Sequence, residues 1–354
     1  MRYEIHISDV RSFRQCRRRW YFSSGLQRNL EPAVPYMPFF TGRAVHWSLE
    51  QYYGHGTDPV QASLDFINKE TATWGSLWPR EMDKLNEQIA LIAGMLGHYK
   101  LWVNKYEGRL ADKNFEFIAL ETSFRVPLLT DTGRRSSKVF LAGRFDGLVV
   151  NKLDGSYWLW EIKTTRSIDE LYKSLALDEQ CGTYIYAAEQ MFGVHISGVM
   201  YTIMRKKEPT IPRVLNNGTL SKAQNIDTTA EIYLEAVMQN HPEYREDPEQ
   251  ILNNYGDILG ALLAKGNTFF ARVPIYRTRK EIATLSNYLW LTALEMTRQS
   301  TPLYPSPGWS SCNFCPFRSP CVAMNSGADW EMILESEFKS RTVELFTEEE
   351  HEAN

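Results

Sequence analysis

Apolar residues in the first hundred positions recur three and four apart, from Gly42 to Tyr53, through DPVQASLDFINKETATW, and most regularly in NEQIALIAGMLGHYKLWVNKY. That spacing lines one face of a helix, so this part of the chain is expected to be mostly helical. From Phe115 the texture changes to EFIALETSFRVPL, KVFLAGRFDGLVV and SYWLWEIKTT, rich in Val, Phe, Trp and Thr, and these runs predict three strands. A helical stretch from Ile168 to Phe192 and an apolar strand, VHISGVMYTIM, follow. The centre of the chain therefore reads as a β-meander, a helix and a further strand. Beyond Arg205, KKEPTIPRVLNNGTLSKAQNIDTT is polar and turn-rich, a predicted loop or lid. After it come helical EIYLEAVMQN and EQILNNYGDILGALLAK, a possible strand in FFARVPIYRT and a long helix in KEIATLSNYLWLTALEMTRQ. No repeat, low-complexity segment or linker divides the chain, which predicts one α/β core domain with insertions.

Composition narrows the class. With 354 residues, 43% of them hydrophobic, the chain can bury a large core. No apolar run approaches the ~18 residues of a membrane span, and the N-terminal residues lack a secretory apolar stretch, so a cytoplasmic location without membrane contact is expected. The formal charge of −4 is set by the last twelve residues, VELFTEEEHEAN, whose five glutamates leave residues 1–342 at +1. Basic residues gather in RQCRRRW (Arg17, Arg18 and Arg19 among them), MRKKE and YRTRK, either as a positive groove or as solvated faces.

The candidate chemistry lies on a hairpin. Asp154-Gly155 between two apolar runs predicts a two-residue turn. In that register Leu153 faces Ser156, Leu148 faces Glu161 and Asp146 faces Lys163. Alternation then places Asp146, Glu161 and Lys163 on one sheet face, the two carboxylates diagonal at roughly 7–8 Å, close enough to share one divalent cation. A solvent-facing ladder of salt bridges is the other reading of the same three residues.

Four short patterns occur in order: TGRAVH with His46, GRFD with Asp146, EIK with Glu161 and Lys163, and QCGTY from Gln180 to Tyr184. Together they resemble the PD-(D/E)XK nuclease superfamily and, within it, the RecB-like branch. The resemblance implies a restriction-endonuclease-like core, a central mixed β-sheet flanked by helices. It implies that Asp146, Glu161, the main-chain carbonyl of Ile162 and His46 bind Mg²⁺ or Mn²⁺, with Glu121 of ALETSF as a further ligand or a surface acid. Lys163 would orient or help deprotonate the attacking water and offset charge on the phosphate, and Gln180 and Tyr184 would touch the nucleic-acid backbone. The family's eponymous proline is replaced by Phe145.

Three of the five cysteines, Cys312, Cys315 and Cys321, have the spacing C-x2-C-x5-C, and Cys16 lies 296 residues before Cys312. One cysteine before the nuclease motifs and three after resembles the iron-sulfur subgroup, which includes CRISPR-adaptation nucleases, the AddB nuclease domain and eukaryotic exonuclease V. There four thiolates hold a structural 4Fe-4S cluster; Zn²⁺ would accept the same ligands. Cys181 reads as a small buried residue. Arg17, Arg18 and Arg19, with Trp20, Tyr21 and Phe22, would then form a basic aromatic patch for single-stranded nucleic acid, or a helix that buries its rings and pairs its arginines.

On this resemblance, residues 1–110 form a helical N-terminal part with the first cluster cysteine and the motif histidine, and 111–204 the nuclease core. Residues 205–300 form an insertion with helices, 301–342 the iron-sulfur region and 343–354 an acidic tail. The expected activity is metal-dependent exonucleolytic hydrolysis of single-stranded DNA ends in recombination, repair or phage DNA metabolism. Without a P-loop in the chain, unwinding would fall to a helicase or recombination partner. The rival is a non-catalytic nucleic-acid-binding or assembly subunit with a structural metal clamp.

Overall fold

The computed structural model describes residues 2–34, 37–72, 74 and 78–341; the acidic tail lies outside them. In chain order the elements are β1 (Tyr3–Ile5), α1 (Ile7–Gln15), α2 (Arg17–Ser23), β2 (Leu30–Pro32), α3 (Met37–His55), α4 (Pro59–Thr71) and α5 (Pro79–Lys105). The strands β3 (Phe115–Leu129), β4 (Arg135–Asn151) and β5 (Tyr157–Thr165) follow, then α6 (Ile168–Leu175), α7 (Glu179–Phe192) and β6 (Ile196–Arg205). The remainder comprises α8 (Ala230–Asn240), α9 (Glu249–Lys265), β7 (Phe270–Ile275), α10 (Arg279–Met296), α11 (Trp309–Asn313), α12 (Arg318–Ser326), α13 (Trp330–Glu337) and β8 (Phe338–Ser340).

Six strands form one mixed sheet in the order β1-β4-β5-β6-β7, with β3 also paired to β4. The β3–β4–β5 meander is antiparallel, whereas β1 joins β4 and β6 joins β5 in parallel. The parallel β5–β6 pair needs a crossover, which α6 and α7 supply. Helices cover both faces. Along β5, Leu159 packs with α1, α7 and α10 on one side, while Trp158, Trp160 and Ile162 pack with α3 and α5 on the other. The sheet takes β1 and β7 from outside residues 111–204. A satellite core around Tyr233, Val237, Tyr255 and Ile258 lies wholly within the 205–300 insertion. Near the cysteines, Phe22 packs with Phe317, Leu334 and Phe338, and β2 pairs with β8, so the two ends of the described chain meet.

Two expectations are corrected, and three short strands were not foreseen. The helix foreseen from Ile168 to Phe192 is broken at Ala176–Asp178, where the Asp178 carboxylate accepts a bond from the Gln180 N–H and starts α7. Short strands β1, β2 and β8 carried too few residues to show a period. The Asp154-Gly155 turn is wider than two residues: Asn151 N–H donates to Ser156 O and Gly155 N–H to Asn151 O, enclosing four loop residues, 152–155. Leu148 therefore faces Leu159, and Gly147 faces Trp160. The register slips by two, so the face assignment survives, but Asp146 comes opposite Glu161 instead of Lys163.

Candidate active site

The β4–β5 ladder stops at Gly147–Trp160, and beyond it a side chain replaces the backbone partner. Asp146 Oδ2 accepts the Ile162 N–H at 2.7 Å. This fork leaves Asp146 and Glu161 side by side, with no main-chain bond holding the strands together between them. On the other edge, Leu120 pairs with Gly147 and Thr122 with Phe145, so Glu121 falls opposite Asp146. Glu121 has φ of 42°, a left-handed conformation uncommon for a residue with a side chain. Across from them, α3 supplies His46, whose Nδ1 lies 3.2 Å from Asp146 Oδ1.

The second half of the site is a hydrogen-bonded triangle. Lys163 Nζ lies 2.5 Å from Glu161 Oε1, Gln180 Nε2 donates to the same oxygen at 2.7 Å, and Lys163 Nζ donates to Gln180 Oε1 at 3.2 Å. Gln180 reaches Glu161 because it occupies the first turn of α7, placed there by the Asp178 cap. One turn later, Tyr184 sets its ring edge-on to Phe124 and Phe145, at 5.6 and 5.5 Å between centroids.

The charges are strongly coupled. Burial, then the neighbouring Asp146 charge, pushes the Glu161 carboxyl up to about 7. Glu121 is likewise pushed up to about 7, by burial first and Asp146 second. Burial alone would raise Asp146, but His46 and Lys163 outweigh it and hold its carboxyl below the usual range. Burial opposes charge on Lys163, yet Glu161 and Asp146 prevail and keep its ammonium above its ordinary value. His46 is raised in the same way, the Asp146 carboxylate outweighing burial. Three acids converging at this depth is the arrangement a divalent cation relieves. Ligand atoms of His46, Glu121 and Asp146 all lie within 4.8 Å of one another, and the oxygen-rich set with one imidazole fits Mg²⁺ or Mn²⁺. His46, Glu121, Asp146, Glu161, Lys163, Gln180 and Tyr184 all line one cleft of about 650 Å³.

Two arginines in this cleft were not foreseen. Arg144, two residues before Asp146 on the same strand, pairs with Glu121 at 2.8 Å; its place in GRFD was the available signal. Arg11 of α1 lines the cleft and pairs with Asp178, a contact between distant segments that no local pattern announces.

Cys16, Cys312, Cys315 and Cys321 line a second, apolar cavity of about 180 Å³. None of the four forms a disulfide. The Cys312 sulfur accepts the Gly308 N–H at 3.4 Å, and the Cys321 sulfur lies 3.9 Å from Arg18 Nη1. Burial pushes the Cys315 thiol up, against the pull of the Phe317 N–H and Arg19. Among the described residues, a trio of candidate ligand atoms mutually within 4.8 Å occurs at His46, Glu121 and Asp146 alone. Cys181 is buried in the α7 packing, its thiol pushed up to about 12 by desolvation.

The three arginines separate. Arg17 pairs with Glu295 at 2.7 Å and lies over the Phe13 ring, and Arg18 bonds Leu303 O and Asn325. Arg19 lines both the cysteine cavity and the catalytic cleft. Trp20 and Phe22 are fully buried, which for these two rings favours the second of the two readings: a short helix closing two cores spends its rings on packing. The other basic clusters are largely paired, Arg205 and Lys207 with Asp227 and Arg279 with Glu189.

A family model of the PD-(D/E)XK nuclease superfamily matches residues 5–322. No curated protein matches the sequence. Solved structures that match include the crystal structure of a candidate exonuclease from Eubacterium rectale, 12% identical, covering 75% of this chain and 84% of that one with a TM-score of 0.34.

Proposed function

The chain belongs to the PD-(D/E)XK nuclease superfamily, and from that premise we propose that it is a metal-dependent DNA exonuclease of the RecB-like iron-sulfur branch, acting on single-stranded ends. Membership makes it a nuclease with a restriction-endonuclease-like α/β fold. The observation that carries the finer reading is the fork, where Asp146, Glu161 and Lys163 leave adjacent strands to meet His46 and Glu121 in one cleft. Among the described residues no helix is long and apolar enough to cross a membrane.

The geometry supports the roles that the family resemblance implies. His46, Glu121, Asp146 and Glu161, with the Ile162 carbonyl, would hold Mg²⁺ or Mn²⁺. The bound cation supplies Lewis-acid charge at the scissile phosphate and activates water. Lys163, kept protonated beside Glu161 and Asp146, offers an N–H to a phosphate oxygen as negative charge develops. Gln180 holds Glu161 and Lys163 in register through both ends of its amide. Tyr184 and Arg11 line the cleft wall and would meet flanking phosphates, Arg11 on leaving Asp178.

Four cysteines from both chain ends around one apolar cavity support a 4Fe-4S cluster. Zn²⁺ would accept the same four thiolates, and metal analysis distinguishes the two. Cluster, Arg19 and cleft meet at α1 and α2, which favours a structural role for Cys16, Cys312, Cys315 and Cys321, with Arg19 facing nucleic acid while Arg17 and Arg18 are spent on Glu295, Leu303 and Asn325. The divisions at 110, 204, 300 and 342 mark the helical, catalytic, inserted, cysteine and tail segments of this reading.

The test is cleavage of linear and circular single-stranded DNA, labelled at either end, with Mg²⁺ or Mn²⁺. Degradation of the linear substrate alone, abolished by Asp146→Ala, is expected and gives the polarity. Binding without cleavage under every metal condition would establish the assembly-subunit alternative instead.

A further inference from the structure

The two flanks of the catalytic cluster differ in chemistry. On the α1 side the cleft is bounded by Ser8, Arg11, Ser12 and Arg19, hydroxyls and guanidiniums of the kind that meet phosphate oxygens. On the α4 side a second hollow, about 430 Å³, shares His46, Glu121 and Arg144 with the cleft, so the two are continuous across the candidate metal ligands. Its other walls include Trp47, Phe66, Arg43 and Lys69.

Helix α3 explains why an indole stands there. Phe40, Ala44, Val45 and Leu49 are buried against the sheet, while Phe39, Arg43 and Trp47 recur four apart on the exposed side. Trp47 is 37% exposed, next in sequence to the candidate ligand His46. The ionic groups of the hollow largely cancel: Arg43 pairs with Glu70 at 2.5 Å and Arg144 with Glu121 at 2.8 Å, leaving Lys69 and Glu50 on its walls. Such a hollow is a weak phosphate site. What it offers is ring surface, with the flexible Lys69 ammonium 5.8 Å from the Trp47 centroid and Phe66 tilted beside it at 6.3 Å.

We propose that this hollow is a base-stacking subsite, in which Trp47 takes the face of an unpaired nucleobase next to the scissile phosphate while the α1 flank takes the backbone. The proposal rests on the nuclease reading of the adjoining cluster. In a duplex both faces of an internal base are covered by its neighbours, so a base can stack here only from a single strand or a frayed end. Any base has a face to offer, so the subsite selects strandedness and tolerates sequence. Lys69, displaced from over the ring, reaches a neighbouring phosphate.

The test reads binding in the Asp146→Ala protein, where cleavage does not compete, using fluorescent oligothymidylate and a series carrying one abasic site at successive positions. Adding Trp47→Ala is expected to weaken binding about tenfold, and Trp47→Phe to recover most of that loss. One abasic position should weaken the Asp146→Ala parent yet cost the Trp47→Ala double variant nothing further. Equal affinity with and without Trp47, or an abasic penalty that persists unchanged in the double variant, overturns the subsite. Cleavage by the unmutated protein is measured alongside. Its absence under both metals fails the nuclease reading, whereas cleavage without a Trp47 effect fails the subsite alone.

Discussion

At the fork, every polar side chain is held by another that also belongs to the site: Asp146 by His46 and the Ile162 N–H, Glu161 by Lys163 and Gln180. At the cysteine cavity the four sulfurs are drawn from opposite chain ends, and their surroundings are short helices, a small aromatic core and the β2–β8 pair. The first region is over-determined by its own sheet. The second lacks a long element of its own, and a group bonded to all four thiolates would tie it together. Losses at the fork should thus fall on chemistry and losses at the cavity on stability.

The largest effect should come from the fork. Lys163→Ala is expected to lower the cleavage rate roughly 10²–10³-fold, as loss of one charged donor to a developing oxyanion does. Its thermal midpoint should change little, since Glu161, already pushed up to about 7, can take a proton when its partner is gone. A large fall in midpoint together with a retained rate would reverse the comparison, making the triangle structural and placing the chemistry elsewhere. Asp146→Asn, which keeps an acceptor for the Ile162 N–H, should separate rate from stability in the same way.

Next in size is Cys312→Ser. The expected protein is colourless, without absorbance near ~400 nm typical of an iron-sulfur centre, and melts roughly 5–10 °C lower because a tether across nearly the whole chain is lost. Whatever protein remains folded should still bind Mn²⁺ at the fork. Wild-type colour and midpoint in this variant would remove the cluster, and zinc found in place of iron would change its identity without altering the comparison.

The two regions also differed in how legibly the sequence announced them. Face assignment at the fork depends on a period of two, so Asp146, Glu161 and Lys163 could be grouped even though Asn151 and Asp154 build a wider loop than Asp-Gly suggests. The opposition of Glu121 and Asp146 could not be read, because it depends on the β3–β4 register and on a β-bulge near Ile118. Gln180 could be found by its spacing to Tyr184, but its grip on Glu161 follows from the helix break at Asp178, which carries neither Gly nor Pro. At the other end, cysteine spacing singled out Cys312, Cys315 and Cys321 and the resemblance added Cys16, four residues that line one cavity, while the burial of Trp20 and Phe22 came from long-range packing that a seven-residue helix does not reveal.

Arg19 joins the two regions, so its effect should be intermediate in kind and modest in size. It is half-buried, contacts Gln15 at 3.4 Å, and lines both cavities. Arg19→Ala should weaken single-strand binding several-fold and reduce the salt slope by about 1, with colour retained. An unchanged slope would assign Arg19 to the cysteine side alone.

The smallest effect sharpens the comparison from the fork's own cost. Glu121 holds a left-handed backbone and a buried carboxyl pushed up to about 7, so it is strained in conformation and in charge. Glycine adopts that backbone freely, and relief of about 1 kcal/mol is expected from this alone. The lost Arg144 pair offsets part of it, but Arg144 is half exposed and such pairs contribute at most about 1 kcal/mol. The charge component has a definite sign. A carboxyl whose value is higher folded than unfolded releases its proton more readily on unfolding, so it destabilises the native state as pH rises through the interval from 4.5 to about 7. Metal-free Glu121→Gly should therefore melt at or slightly above the parent at pH 5 and gain further at pH 8, while losing activity with Mg²⁺ or Mn²⁺. Equal midpoints at both pH values would mean that Glu121 rests without strain, and that the fork, like the cysteine cavity, is stabilised by the residues that would bind its metal.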